Sequence, residues 1–225
     1  PSHPLFTLAS SNPLAPPRLF FAEWRGPHYL CVMSHFTSLA GKLLIAMPSI
    51  SDENFERSVV FLCAHSEQGA MGFVVNKPAP LTVFSDLLEK TDLAGRLEDV
   101  PEDVMRIPIR LGGPVETFRG FVLHTPDYPA DDSSLVVGKD YVVSATLNVL
   151  TDIASGKGPE RRLIALGYAG WSPGQLENEI LHNGWLHCEP DADLVFEANL
   201  DLTHERALAK LGIDPRMLSS EAGHG

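Results

Sequence analysis

Three runs decide the fold: Lys42-Leu43-Leu44-Ile45-Ala46-Met47, Ser58-Val59-Val60-Phe61-Leu62-Cys63-Ala64 and Met71-Gly72-Phe73-Val74-Val75. Each is short, apolar and bounded by turn formers, the pattern of buried strands rather than helices. His65-Ser66-Glu67-Gln68-Gly69-Ala70 separates the last two and reads as a hairpin connection. The chain therefore begins its folded part with clustered strands, which argues against regular βαβ winding.

Outward from there the elements alternate. Leu81 to Leu97 carries apolar residues at 84, 87, 88 and 93 with Thr82 as cap, the pattern of an amphipathic helix, and Glu98 to Asp103 follows as an acidic loop. Strands are expected at Arg106 to Leu111 and Arg119 to His124, joined by Gly112-Gly113-Pro114, then at Leu135 to Val137 and Tyr141 to Val143. Ser144 caps a helix with Leu147, Leu150, Ile153 and Ala154 on one face, stopped by Gly156-Lys157-Gly158-Pro159. Arg162 to Tyr168 is the clearest buried strand. Ser172-Pro173-Gly174-Gln175 has capping-box spacing and opens a helix with Leu176, Ile180 and Leu181 on its apolar face, ended by Asn183-Gly184. Trp185 to Cys188 and Leu194 to Phe196 complete the strands, and a last helix starts at Thr203 and ends at Gly212. The reading is a single α+β domain with a mixed sheet flanked by a few helices.

Composition limits the function. With 225 residues, 44% hydrophobic and 20% charged, the chain buries a core of one-domain size. Residues 1 to 32 differ: Pro1, Pro4, Pro13, Pro16 and Pro17 interrupt any periodicity. They read as a flexible extension or as the product of a misplaced translation start whose true position is Met33, with residues 33–225 as the folded domain. Apolar runs stay far below the roughly 20 residues that span a bilayer, so no membrane partner is expected. Cys31, Cys63 and Cys188 are too scattered for a disulfide framework, and the cytoplasm is the expected compartment. A net charge of -12 opposes direct contact with DNA or RNA.

Several constellations invite a chemical reading. Gly170-Trp171-Ser172-Pro173-Gly174 matches the G-x-S-x-G nucleophile elbow, but Pro173 has no N–H to contribute to an oxyanion hole, so Ser172 is assigned to capping. His182, His187 and Cys188 lack metal-ligand spacing, because strand neighbours face opposite ways, and neither a metal nor a cofactor is expected. Ser155-Gly156-Lys157-Gly158 follows a helix instead of opening one and lacks Walker spacing. Two turns retain interest: Asn76-Lys77-Pro78, and Gly112-Gly113-Pro114 with Arg119 and His124 beyond it. Diglycine permits close approach, and the polar side chains suit an anionic or amide group, although ordinary hairpin punctuation uses the same residues.

The blocks Leu43-Leu44-Ile45-Ala46-Met47-Pro48, Phe55-Glu56-Arg57-Ser58-Val59-Val60, Val75-Asn76-Lys77-Pro78, Gly112-Gly113-Pro114-Val115, Arg119-Gly120-Phe121-Val122-Leu123-His124, Gly167-Tyr168-Ala169-Gly170-Trp171 and Gly174-Gln175-Leu176-Glu177 together resemble the YqgE/AlgH family of bacterial proteins. The resemblance spans about Leu39 to His224; it departs at His204, near where the family often has tryptophan. It implies an α+β fold with a strongly bent, barrel-like sheet and no particular reaction. Members carry a transcriptional-regulator label, yet nothing here resembles a helix-turn-helix. The expectation is a binding or regulatory protein, acting on transcription only indirectly, with a protein or small metabolite as partner. The alternative is an enzyme for a small polar or anionic metabolite. Candidate ligand-binding residues are Asn76, Lys77, Gly112, Gly113, Arg119, His124, Trp171, Gln175 and Glu177.

Overall fold

The apolar residues of the central strands point to both sides, so a covering layer is needed on each face. The computed structural model describes residues 36–89, 100–197 and 199–218 and supplies both layers. Ten strands form one curled sheet: β1 (Leu43–Ala46), β2 (Val59–Ser66), β3 (Gly69–Val74), β4 (Pro78–Val83), β5 (Pro108–Leu111), β6 (Val115–His124), β7 (Leu135–Val137), β8 (Tyr141–Ser144), β9 (Arg162–Trp171) and β10 (Trp185–Cys188). The order is β10-β1-β2-β3-β9-β6-β8-β7, with β5 joining β9 in parallel and β4 beside β5; the remaining pairs are antiparallel. Mixed pairing follows from the segment between β3 and β5, which brings the chain back alongside β9.

The helices are α1 (Phe84–Glu89), α2 (Glu102–Met105), α3 (Leu147–Ala154), α4 (Gln175–Leu181), α5 (Ala192–Val195) and α6 (Leu200–Lys210). On one face Phe61, Phe73, Phe121 and Leu123 pack under Leu194, Val195, Ala207 and Leu208 of α5 and α6. The other face has two territories. Val122, Ile109 and Ile164 lie under α1, α2 and α3, while Leu44, Val60, Val74, Trp171 and Trp185 meet Leu176 of α4. Each large side chain among these contributes about 1.5–3 kcal/mol by leaving water. Phe73 and Phe121 stack with centroids 5.0 Å apart, tying β3 to β6 across β9.

The α+β class and single curled sheet agree with the reading from sequence, but five local expectations are corrected. Leu194 to Phe196 is not a strand: Asp191 accepts from the Leu194 amide at 2.8 Å and caps α5. Three apolar residues carry no period, so the cap decides. Leu81 to Val83 belongs to β4, which pairs with β5, and the helix starts only at Phe84. Ser144 ends β8, and Thr146 holds the N-cap position of α3. Ser172 forms half a capping box: Gln175 Oε1 accepts from the Ser172 amide at 3.0 Å, but left-handed Gly174 occupies the N-cap position of α4. Glu102 and Asp103, read as loop, open α2. The expected extension at residues 1 to 32 and the far end of the helix read to Leu97 lie outside the described residues.

Candidate functional site at the bulge of β6

Along β6 the register jumps from Val115 opposite Tyr168 to Gly120 opposite Leu166, so residues 116–119 stand against Gly167 alone. A bulge of this size pushes side chains off the sheet and re-aims them. Glu116 takes φ 49° to make it, and Phe118 is left 98% exposed. Arg119 turns back: its Nη1 lies 3.0 Å from Glu116 Oε2, and its guanidinium sits 5.2 Å from the centre of the Phe121 ring. Facing the bulge are Leu87 of α1 and Leu147 and Leu150 of α3. Together they enclose an open cleft of about 630 Å³, mostly apolar, with the Arg119–Glu116 pair at its side and Ser144 and Thr146 among its lining.

Behind Ser144 stands His124. Its Nδ1 lies 2.8 Å from the Thr125 carbonyl, which can only accept, so Nδ1 carries the proton and Nε2 is the acceptor. Ser144 Oγ, 3.0 Å from Nε2, donates to it. Ser134 Oγ lies 3.0 Å from Ser144 Oγ and donates to Asp131 Oδ1 or to Ser144. Burial lowers the His124 pKa below its ordinary 6.5 against the opposing influence of the Thr125 carbonyl and Asp127. Hydrogen bonds from Ser133 and Ser134 hold Asp131 below the usual carboxylate value. A neutral imidazole and an ionised carboxylate therefore flank two hydroxyls.

The candidates near α4 form a second, closed arrangement. Trp171 and Trp185 both donate through Nε1 to Glu179 Oε2, at 2.9 and 2.7 Å, and Gln175 Nε2 donates to Glu179 Oε1 at 2.9 Å. Phe55 packs edge-on to Trp185 at 5.8 Å. The cavity left among them is about 20 Å³, room for about one water and no metabolite. Glu177 lies next door but turns elsewhere: His65 Nδ1 accepts from the Leu39 amide at 2.9 Å, and His65 Nε2 donates to Glu177 Oε1 at 2.8 Å. This pair fastens residues 36–40 to the end of β2, with Ser38 Oγ donating to the His65 carbonyl.

The two polar turns hold backbone. Asn76 Oδ1 accepts from the Val59 amide at 2.7 Å, and its Nδ2 donates to the Arg57 carbonyl at 2.9 Å, bracing a turn in which Arg57 has φ 52°. Lys77 donates to the Glu53 carbonyl; burial lowers its pKa while Glu56, Asp52 and Glu53 raise it. Gly112 threads between two strands, accepting from the Val74 amide and donating to the Leu166 carbonyl, both at 2.8 Å. A Cβ on Gly112 would lie 2.3 Å from the Gly167 carbonyl oxygen, and one on Gly113 would lie 2.2 Å from the Tyr168 carbonyl carbon. The close partner that diglycine admits is the chain's own β9.

The nine candidates thus divide. Arg119 lines the cleft and His124 reaches it through Ser144; Trp171 and Gln175 share the closed cluster; Glu177 lies beside it; Asn76, Lys77, Gly112 and Gly113 hold turns. Ser134, Ser144 and Glu179 were not among the candidates. Glu179 had a local signal, standing four residues after Gln175 on a helix face. Ser144 had none, because its partner His124 meets it only through the pairing of β6 with β8. Among the described residues no group of three His, Cys, Asp or Glu side chains is placed to hold a metal ion, and no helix is long and apolar enough to cross a membrane.

Comparison with known proteins gives consistent similarities. A family model described as AlgH-like matches residues 43–216. A UPF0301 protein of Afipia carboxidovorans is 53% identical over 190 residues, covering 84% of this chain and 90% of that protein. One from Methylobacterium sp. (strain 4-46) is 52% identical over 189 residues, with 83% and 90% covered. The solution structure of the AlgH protein from Pseudomonas aeruginosa aligns with TM-score 0.66 and 39% identity, over 86% of this chain and all of that one. A crystal structure of protein DIP2367 from Corynebacterium diphtheriae, 20% identical with TM-score 0.59, shares the fold over 85% of this chain and 92% of its own.

Proposed function

Since the chain belongs to the AlgH-like family, whose relatives' names specify no activity, we propose a function from its own geometry: it is a binding protein whose ligand seat is the cleft at the β6 bulge. The observation that carries this is the cleft itself. Its volume of about 630 Å³ falls within the roughly 300–1,000 Å³ of ligand sites, and it combines apolar walls with few polar groups, as such sites do. Leu87, Phe118, Val122, Leu147 and Leu150 suit an apolar body, and Arg119 suits an anionic head that competes with Glu116 for the guanidinium.

Regulation follows from occupancy. A ligand bridging the bulge and α3 alters the surface around Phe118, and a protein partner reads that surface, so any influence on transcription is indirect. The net charge of -12 disfavours direct contact with DNA phosphates. The cytoplasm is the compartment this reading assumes.

Octanoate, an apolar chain with a carboxylate head, is the test ligand. Calorimetric titration of the full chain should give saturable 1:1 binding, weakened about tenfold by Arg119→Leu. Binding that ignores Arg119→Leu, or no binding, contradicts the proposal. Native mass spectrometry of protein purified without heating should carry a co-purifying small molecule of the same chemistry.

A further inference from the structure

We propose that Ser144 is an acyl-accepting nucleophile activated by His124, so that the cleft hydrolyses small carboxylic esters. The inference rests on the cleft as a ligand seat and adds a reaction to it. It starts from geometry: Ser144 is among the residues that line the cleft, its buried hydroxyl lies 3.0 Å from His124 Nε2, and the opposite ring nitrogen is held by the Thr125 carbonyl at 2.8 Å. That is the nucleophile–base–orienter arrangement, with a backbone carbonyl in the orienting position. The Thr125 carbonyl fixes the tautomer that leaves Nε2 able to take a proton.

The rest of the surroundings favour the same step. Burial keeps His124 neutral, the form a general base requires. Ser134 Oγ, 3.0 Å from Ser144 Oγ, donates to the serine oxygen as negative charge grows on it. Asp127 is placed to stabilise the imidazolium by its charge acting on His124. Ser144 is only 2% exposed, so the acyl group must enter from the cleft and must be narrow; a short unbranched chain meets that condition.

The step balances with water as the only co-reactant. Ser144 Oγ forms a bond to the ester carbonyl carbon while its proton passes to His124 Nε2 and the carbonyl π pair moves to oxygen. Collapse breaks the carbon–alkoxy bond, and the leaving alcohol takes the proton from Nε2. Water, deprotonated by Nε2, then attacks the acyl-serine; the acid leaves, and the proton returns to Ser144.

This serine differs from the one that the motif reading singles out, which makes the test sharp. The full chain is treated with a fluorophosphonate and digested, and adducts are located by mass spectrometry. A single adduct on the peptide bearing Ser144, suppressed by excess octanoate, is expected; no adduct, or one at Ser172 or elsewhere, overturns the assignment. Hydrolysis of p-nitrophenyl butyrate should fall at least a hundredfold in Ser144→Ala. Turnover that survives Ser144→Ala overturns the proposal even if octanoate binds, and the ligand seat then stands alone. Loss of octanoate binding by the unsubstituted chain removes both readings. If Ser144→Ala does not fold, adduct mapping on the unsubstituted chain decides.

Discussion

Strand β9 touches two polar neighbourhoods of opposite character. At its end, Trp171 enters a cluster in which Glu179 receives three hydrogen bonds and the space left is about 20 Å³. Near its middle, Gly167 faces the β6 bulge beside a cleft of about 630 Å³ with an exposed phenylalanine at its mouth. Both contain aromatic and charged residues of the kind that suggest a site. The difference is that the first satisfies its polar groups internally, whereas the second keeps room beside them. Residue type alone does not separate a structural cluster from a binding one; available volume does.

The largest effect should come from the backbone junction between the two. Gly113→Ala places a methyl group within 2.2 Å of Tyr168, where only backbone can yield. We expect a loss of about 4 kcal/mol or more, read as insoluble expression or a failed cooperative melt. A normal melt would mean that β9 and the diglycine can separate without cost.

Next is the closed cluster. Glu179→Ala removes the acceptor for two indole N–H groups and the Gln175 amide, and should cost about 2 kcal/mol in urea unfolding, with octanoate binding unchanged. Loss of binding at unchanged stability would move the ligand seat to α4 and invert the comparison.

Acidification sharpens the contrast in another way. His124 and His204 both have pKa values lowered by burial, and His204 Nε2 donates to the Ala46 carbonyl at 2.9 Å. Because folding favours their neutral forms, their contribution is complete above about pH 6.5 and lost as pH falls from there toward the folded-state values. Tm should therefore decline between pH 7 and 5, before the depressed carboxylates Asp131 and Asp191 are protonated. A flat Tm over that range would show that neither histidine is held neutral.

The smallest effect belongs to the open region. Phe118→Ala should change stability by less than about 0.5 kcal/mol, since the ring is almost wholly exposed, while weakening octanoate severalfold. A large destabilisation would place the ring in the core instead.

Much of the fold was legible because it is local. Leu135 to Val137 and Trp185 to Cys188 carry their strands at the observed boundaries, and the spacing of Leu150, Ile153 and Ala154 marks the buried face of α3. Leu194 to Phe196 failed because a three-residue run has no period to distinguish strand from helix. The site was legible in part. Arg119 and His124 stand in one strand and could be suspected together, but the bulge that turns Arg119 toward the cleft depends on the register against Gly167, some fifty residues away. Ser144 and Glu179 acquire their roles only when distant strands and helices bring partners to them. Gly112 and Gly113 signalled close approach correctly, and what approaches is β9.

The measurement that tests the account most directly is octanoate titration of three chains side by side: unsubstituted, Arg119→Leu and Gln175→Ala. The account expects about tenfold weaker binding in Arg119→Leu and unchanged affinity in Gln175→Ala, whose side chain is spent on Ser172 and Glu179. Affinity lost in Gln175→Ala and kept in Arg119→Leu would place the function in the closed cluster and contradict it.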